Sequence, residues 1–395
     1  MKIKASGKSA ITSKRLGVLI GGSGLVGGAL THFYKTASQN TEILAPSSKK
    51  LSLRVPNDIK QYFQHYRPSF IINAAIAPID SDPEMSFETN YLGSINLAKI
   101  ALALGIPYIH ISTAATLPSG ENLTEDDYLP LTSGLANYPK SKLMAELTLK
   151  HLGATQGLDY TIIRLALVYG EHDHKIQGFN RLLFSIANQS LPLILTKKGV
   201  VHSYSNNLKL SYFIPYIINR REEFSGKTYH FVDPEPVELT QLIYSIKSHL
   251  GVKTPRKIFV PYWLARIGKA CIGWIERKMN RIGIEARIPA ELMFIENFYE
   301  SQTLSSKNLK DSSYKDPSPK VTIFTELPAI IEYYVTRWKH LNLLSIPGNE
   351  EKSHQNRILE FQNSPTTLLD YLHNHNFTIS QDDKNHNRSS TSIKV

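Results

Sequence analysis

The sequence predicts an α/β protein: a doubly wound parallel sheet with helices on both faces, joined to a smaller mixed C-terminal lobe. Three observations carry that expectation. Apolar segments of strand length alternate with segments of helical period between Leu16 and Leu165, the pattern of repeated strand–helix–strand units. A glycine turn, Gly21-Gly22-Ser23-Gly24-Leu25-Val26-Gly27, joins the first strand to the first helix. Residues that could do chemistry fall where strands end, at Gly21, Asn73, Thr113 and Leu165. Right-handed crossovers place a ligand crevice along that edge.

The first strand begins near Leu16 and enters the turn through Val18-Leu19-Ile20. Gly21 permits the tight turn, Gly24 lets a pyrophosphate approach the backbone, and Gly27 lets the helix pack on the strand. The helix runs to about Ala37, and its bare N-terminus offers N–H groups and a dipole to phosphate. On this reading Gly21, Ser23, Gly24, Leu25, Val26 and Gly27 contact a dinucleotide. The competing reading is a tight turn with no ligand.

Glu42 to Ala45 is the second strand. Ile59, Tyr62, Phe63 and Tyr66 give helical period from Pro56, Arg67-Pro68 stops it, and Phe70 to Asn73 is the third strand. Pro83 to Leu104 reads as one long helix ended by Gly105, before a fourth strand, Tyr108 to Thr113. Ala136 to Leu152 is helical and Tyr160 to Leu165 is the fifth strand. Beyond Gly178 the regularity fades. Helical segments at 179–188, 211–219 and 239–250 surround a strand at Thr228 to Val232, and Leu327 to Leu344 reads as a last helix. The expected organisation is a basic flexible leader (1–15), a dinucleotide-binding domain (16–178, with later strands contributed from 179–235), a substrate lobe (179–345) and a polar, largely disordered tail (346–395).

The chain has 395 residues and a net charge of +11, from 45 Lys and Arg against 34 Asp and Glu. That length buries a sizeable core, and the charge suits an anionic partner such as a nucleotide cofactor or phosphorylated substrate. No aromatic-interleaved basic repeat or zinc spacing points to nucleic acid. Cys271 is the only cysteine, which excludes an internal disulfide and a cysteine-rich metal site and is compatible with a reducing compartment. The leader lacks the apolar core of a secretory signal, and no uncharged apolar run approaches the roughly 20 residues of a membrane span. The expected location is the cytoplasm. His172, His174 and His202 lack metal-ligand companions at helix spacing, so no metal site is expected.

Tyr138-Pro139-Lys140-Ser141-Lys142 is the second anchor. On a helix, Tyr138 and Lys142 share a face. A phenol titrating near pH 10 is a poor proton donor or acceptor at neutral pH, and an adjacent ammonium favours the phenolate. Thr113, ending the fourth strand, can hold the same substrate oxygen. These three are the candidate catalytic residues, moving a proton at a carbonyl or carbinol while hydride passes to or from a nicotinamide. In isolation the Tyr–Lys spacing usually marks an ordinary helix surface. Its place after the glycine turn, between strands four and five, is what makes it specific.

With these pieces in view the chain resembles the extended short-chain dehydrogenase/reductases, the NAD(P)-dependent epimerase/dehydratase-like family. Residues 16–170 are most similar to its dTDP-4-dehydrorhamnose reductase-like members. The matching motifs are Gly21-x-x-Gly24-x-x-Gly27, Ser48 to Leu53, Tyr66 to Ala75, Asn90 to Leu97, His110-Ile111-Ser112-Thr113, Tyr138-x-x-x-Lys142 and Arg164 to Gly170. The resemblance implies cofactor contacts from the glycine turn, Asn73, Ala74, Ala75, Tyr138, Lys142 and Leu165. It implies Thr113 and Tyr138 as the catalytic pair, and Asn90 as structural or near the nicotinamide. The implied reaction is interconversion of a secondary alcohol and a ketone on a nucleotide-linked sugar. The alternatives are a steroid-like or other lipid alcohol, 4-epimerisation of a nucleotide sugar, or a cofactor-sensing scaffold without turnover.

Departures from the family pattern narrow this. The acid that holds the ribose 2′-OH of NAD near the end of strand two is absent, and the segment reads Ala45-Pro46-Ser47-Ser48-Lys49-Lys50. Ser47 and Lys49 suit a 2′-phosphate and point to NADP, with NAD as the alternative; a merely solvated lysine pair is the competing reading. Ser52 stands where those reductases carry an acid. Ala114-Ala115 follows Thr113 in place of the Asp-Glu that similar dehydratases use, which argues against dehydration. Cys271 lies outside the core, which argues against cysteine-dependent epimerisation. Leu165 replaces a common proline. The stretch 258–284 carries Trp263, Ile267, Trp274 and Ile275 near one helical face among arginines and lysines. It reads as a packing helix over the substrate lobe, with peripheral membrane contact as the alternative. The helices flanking strand four would pair in a homodimer, as in similar proteins.

Overall fold

β1 (Arg15–Ile20) carries four consecutive buried residues, Gly17 to Ile20, as a strand covered on both faces requires. It lies between β2 (Thr41–Leu44) and β3 (Phe70–Asn73) and runs parallel to both. α1 (Leu25–Thr36) and α2 (Pro56–His65) fall between these strands in sequence. The structure is a computed structural model and describes residues 14–38, 40–172, 178–188, 193–196, 199–252, 256–259, 299–341 and 343, with short stretches at 361–366 and 369.

After β3 the chain enters α3 (Pro83–Met85), a π-helical stretch Ser86–Leu92, and α4 (Gly93–Leu104), which Gly105 ends in a left-handed conformation. β4 (Tyr108–Thr113) and a 3-10 turn at Ala114–Thr116 lead to β5 (Gly120–Leu123). α5 (Asn137–Gln156), β6 (Tyr160–Leu165) and β7 (Leu167–Tyr169) follow. Then come α6 (Gly178–Ala187), β8 (Leu193–Thr196), β9 (Val201–His202), β10 (Tyr204–Asn206), α7 (Asn207–Asn219) and α8 (Arg221–Phe224). The last elements are β11 (Lys227–Phe231), β12 (Val237–Glu238), α9 (Leu239–Leu250), β13 (Arg256–Phe259), β14 (Gln302–Leu304), α10 (Lys307–Lys310) and α11 (Ile323–His340).

The central sheet has six strands in the order β11-β6-β4-β3-β1-β2, all in parallel pairs. Strand alternation sends neighbours to opposite faces. Leu19 and Ile72 join Leu30, Phe213 and Ile217 in one core; Val18 and Ile71 join Ile95, Leu97 and Leu149 in the other. The doubly wound parallel sheet expected from the sequence is the one observed. A smaller sheet, β12-β9-β14-β5, and the pairs β10-β7 and β13-β8 complete the described strands. Contacts divide the chain into two compact units, 1–334 and 335–395, and the sheet and site belong to the first.

The strand expected at Thr228 to Val232 is β11, which closes the main sheet beside β6 with Thr228 opposite Ile162. One reading changes. The single helix expected from Pro83 to Leu104 is interrupted: Gly93 N–H bonds back to the Glu88 carbonyl, five residues earlier. The wider turn buries Asn90, whose Nδ2 donates to Ser141 Oγ on α5 at 3.1 Å and whose Oδ1 accepts from Ala77 N at 2.8 Å. Residues 1–13, the stretch 260–298 with most of the expected 258–284 helix, and nearly all of 346–395 lie outside the described residues. Among the described residues no helix is long and apolar enough to cross a membrane.

Candidate active site

The glycine turn is built as its spacing requires. Gly21 has a φ of +86°, and a Cβ there would stand 2.6 Å from the Ala74 carbonyl carbon and the Ala75 nitrogen, so the exit of β3 crosses directly behind it. A Cβ on Gly27 would lie 2.0 Å from the Gly21 carbonyl oxygen. Gly24 differs. It is the N-cap of α1 in an extended conformation with no side-chain cap, and the nearest atom to a Cβ is the Gly21 oxygen at 3.6 Å. Its face is therefore open, and α1 has no acid in its first turn. Two glycines make the turn possible and the third leaves a cradle, which fits the pyrophosphate of a dinucleotide.

The remaining expected cofactor residues divide. Ser23 is exposed, and Leu25 and Val26 are half-buried at the start of α1. Ala45 lies against Gly22, whose Cβ would come 2.7 Å from the Ala45 Cβ, and Ser47 and Lys49, both exposed, follow it in the chain after β2. Ala74 N donates to Ile20 O at 2.9 Å and Ala75 N to Asn73 Oδ1 at 3.1 Å. The Asn73 amide points inward, donating to Ser94 Oγ at 3.0 Å and to Tyr108 Oη at 2.9 Å; its part in the crevice wall is backbone. Leu165 is likewise a core side chain, 3% exposed.

Thr113 ends β4, and its Oγ1 accepts from Ala115 N at 3.2 Å. Tyr138 stands in the first turn of α5, where Pro139 is tolerated because the first N–H groups have no intrahelical partner. The Tyr138 phenol faces the Thr113 side chain. Lys142, one turn along α5, is 3% exposed; its Nζ donates to Ile111 O at 2.6 Å and lies 3.3 Å from His110 Nε2. The structure thus gathers Thr113, Tyr138 and Lys142 beside the C-terminal end of β4. Burial pushes the Tyr138 phenol above its ordinary range, opposed by Thr113. The sequence reading had the ammonium lowering that phenol; here desolvation dominates, and the group that counters it is the threonine. Burial also pushes Lys142 down to about 8, against the upward pull of Glu146.

Residues not singled out from sequence underlie this group. Glu146, one further turn along α5, is fully buried and pairs with Arg164 of β6 at 2.7 Å. It also accepts from the Ser112 hydroxyl. Arg164 reaches the Glu125 carbonyl at 2.9 Å and His230 Nε2 at 3.2 Å. A signal existed: an arginine inside an apolar strand needs a buried acid, and Glu146 repeats the spacing that links Tyr138 to Lys142. Among the described residues no group of three or more His, Cys, Asp or Glu could hold a metal ion.

Parallel strands, a bare helix N-terminus on a glycine turn, and a Tyr–Lys helix beside β4 define an α/β protein of the doubly wound class. Residues 18–199 match the NAD dependent epimerase/dehydratase family. The chain is 28% identical over 160 residues to the spore coat polysaccharide biosynthesis protein SpsK of Bacillus subtilis (strain 168), covering 39% of this chain and 53% of that one. It is 25% identical over 171 residues to a dTDP-4-dehydrorhamnose reductase of Sinorhizobium fredii, covering 41% and 54%. The chain therefore spans about half the length of these curated relatives. Among solved structures, the dTDP-4-dehydrorhamnose reductase of Bacillus anthracis in complex with NADP aligns with a TM-score of 0.52 at 18% identity, over 75% of this chain and 98% of that one. The UDP-glucose 4-epimerase of Thermus thermophilus in complex with NAD aligns with a TM-score of 0.59 at 17% identity, over 81% and 99%. At those identities the likeness is one of fold.

Proposed function

We propose that the chain is an NAD(P)-dependent oxidoreductase that interconverts a secondary alcohol and a ketone on a nucleotide-linked sugar, with NADP as its preferred dinucleotide. The observation that carries the reading is the convergence of Thr113 and Tyr138 at the end of β4, with Lys142 one turn further along α5. The open Gly24 face and bare start of α1 would hold the pyrophosphate, and Ser47 and Lys49 the adenosine end. When bound, the nicotinamide supplies or takes the hydride. In the reducing direction Tyr138 gives its proton to the carbonyl oxygen as charge develops there, and Thr113 holds that oxygen by hydrogen bond. A phenol raised by burial is a protonated acid at neutral pH, ready for that direction. Lys142, cationic below about pH 8, stabilises the phenolate left behind. The small sheet and the parts of the chain beyond residue 178 other than α7 and β11 would form the lobe that holds the sugar nucleotide.

Relatives named for polysaccharide and dehydrorhamnose chemistry support a nucleotide-sugar substrate, and Ala114-Ala115 after Thr113 supports redox chemistry over elimination. The test is titration with NADPH and NADH, followed by turnover with a panel of 4-keto nucleotide sugars. Tyr138→Phe is expected to cut kcat by roughly 10²–10⁴-fold while dinucleotide binding persists. Full turnover by that variant, or failure of the parent to bind either dinucleotide, overturns the reading.

A further inference from the structure

We propose that His110, held as a neutral imidazole by Tyr108, is a positioning residue for Lys142, accepting one of its N–H groups and fixing the ammonium beside β4. The inference rests on the reading of Lys142 as part of the active site and extends it to two side chains from the interior of the sheet.

The geometry dictates the roles. Tyr108 and His110 are both fully buried, and their rings stack at 6.1 Å between centroids. Tyr108 Oη donates to Ser94 O at 3.1 Å and accepts from Asn73 Nδ2 at 2.9 Å. Its one proton is thus committed, and what it can offer His110 Nδ1, 3.5 Å away, is a lone pair. That places the imidazole proton on Nδ1 and turns the Nε2 lone pair toward Lys142 Nζ at 3.3 Å. An ammonium has three donors and no acceptor. The Ile111 carbonyl takes one at 2.6 Å, His110 takes a second, and one remains free for the crevice.

The charged groups around the pair agree with a neutral histidine. Lys142 feels Glu146 on its own helix and meets His110 on β4, while Arg164 of β6 compensates Glu146. The side chains that meet Tyr108 from β3 and the helix before β4, Asn73 and Ser94, carry no charge. With no acid beside it, protonated His110 would set two cations in contact in the interior. Burial and Lys142 together hold its pKa well below the ordinary histidine range.

The direct test needs no substrate. Long-range ¹⁵N NMR of the intact protein labelled at histidine is expected to show His110 as the Nδ1–H tautomer, with no titration between pH 5 and 8. An Nε2–H tautomer, or protonation near pH 6.5, overturns the proposal whether or not the protein proves to be a reductase. Loss of dinucleotide binding in the parent would overturn the functional reading and leave the tautomer assignment standing. The second test is the pH profile of turnover. His110→Leu removes the acceptor and should move the alkaline limb of kcat down by about one pH unit, because a hydrogen bond to the charged lysine is lost. His110→Gln keeps an acceptor and should restore the limb. Tyr108→Phe, which keeps the imidazole but releases its Nδ1 proton along with the bonds to Asn73 and Ser94, should shift it in the same direction by less, and supplies the measurement if the leucine variant does not fold. A limb unmoved in all folded variants, with kcat merely scaled, assigns His110 a packing role and overturns the proposal.

Discussion

At the scale of single residues, Lys142 ties pH, stability and activity together with opposite signs. Burial lowers its pKa to about 8, whereas in the unfolded chain it titrates near the ordinary lysine value of about 10.4. Between those values the unfolded state binds more protons than the folded one, so this residue's contribution to stability increases as pH rises through the window. Below pH 8 both states are protonated and the full penalty of burying the cation is present. Activity should run the other way, because the ammonium proposed to stabilise the Tyr138 phenolate is lost over the same window. Denaturant melts and kcat measured from pH 7 to 10 are expected to show the lysine-dependent part of stability rising while turnover falls. Lys142→Met should remove both trends. Thr113 makes a narrower claim. It holds an oxygen rather than moving a proton, so Thr113→Val should lower kcat, leave dinucleotide affinity unchanged, and preserve the pH at which turnover is half-maximal.

At the scale of elements, the β1–turn–α1 unit separates a glycine the turn itself requires from one whose open face the proposed dinucleotide would use. A Cβ at position 27 would stand 2.0 Å from a carbonyl oxygen of the turn itself, and no backbone shift relieves that without moving α1 off β1. Gly27→Ala should therefore destabilise the protein and abolish dinucleotide binding together. At Gly24 the nearest atom is 3.6 Å away and φ is −84°, so Gly24→Ala should cost under about 1 kcal/mol as an N-cap change. It should still weaken dinucleotide affinity, because its methyl group occupies the face a pyrophosphate would approach. Thermal melting beside NADPH titration distinguishes the two. This unit was legible from sequence because glycine spacing and apolar period report backbone constraints that act locally. The π-helical stretch was not, since Ser86 to Leu92 has ordinary helical composition and its register is set by Asn90 bonding to Ser141 on another helix. The short strands β5, β9, β12 and β14 were missed for a related reason. Each is two to four residues long, too short for a period, and is defined only by its partner.

At the scale of the whole molecule, a buried ion pair joins the elements that carry the candidate chemistry. Arg164 and Glu146 are both fully shielded from solvent, and between them they touch β4 through Ser112, β6 through the arginine's own strand, and β11 through His230. The Tyr128 ring lies 4.4 Å from the guanidinium carbon. Arg164 is the fifth residue of a six-residue buried strand, and only the fold shows its partner on α5. Such a pair is weak evidence of net stabilisation, because both charges have been stripped of water. Removing one partner is a different matter, since it leaves the other charge buried alone. Glu146→Ala is expected to cost roughly 3–5 kcal/mol, and the loss should register as lower melting temperature in every probe, since the pair joins the helix bearing Tyr138 and Lys142 to three strands of the main sheet. Replacing both members together, as in Glu146→Leu with Arg164→Met, should recover much of that stability, because no lone charge remains. Turnover should stay depressed in the double variant, where Lys142 no longer has Glu146 one turn away to favour its charged form. The exposed pair of Arg54 with Glu88 provides the contrast: Arg54→Ala should leave both melting temperature and turnover unchanged, as surface pairs contribute little. If the double variant melts no higher than Glu146→Ala, the cost lies in lost packing around α5 and not in an orphaned guanidinium.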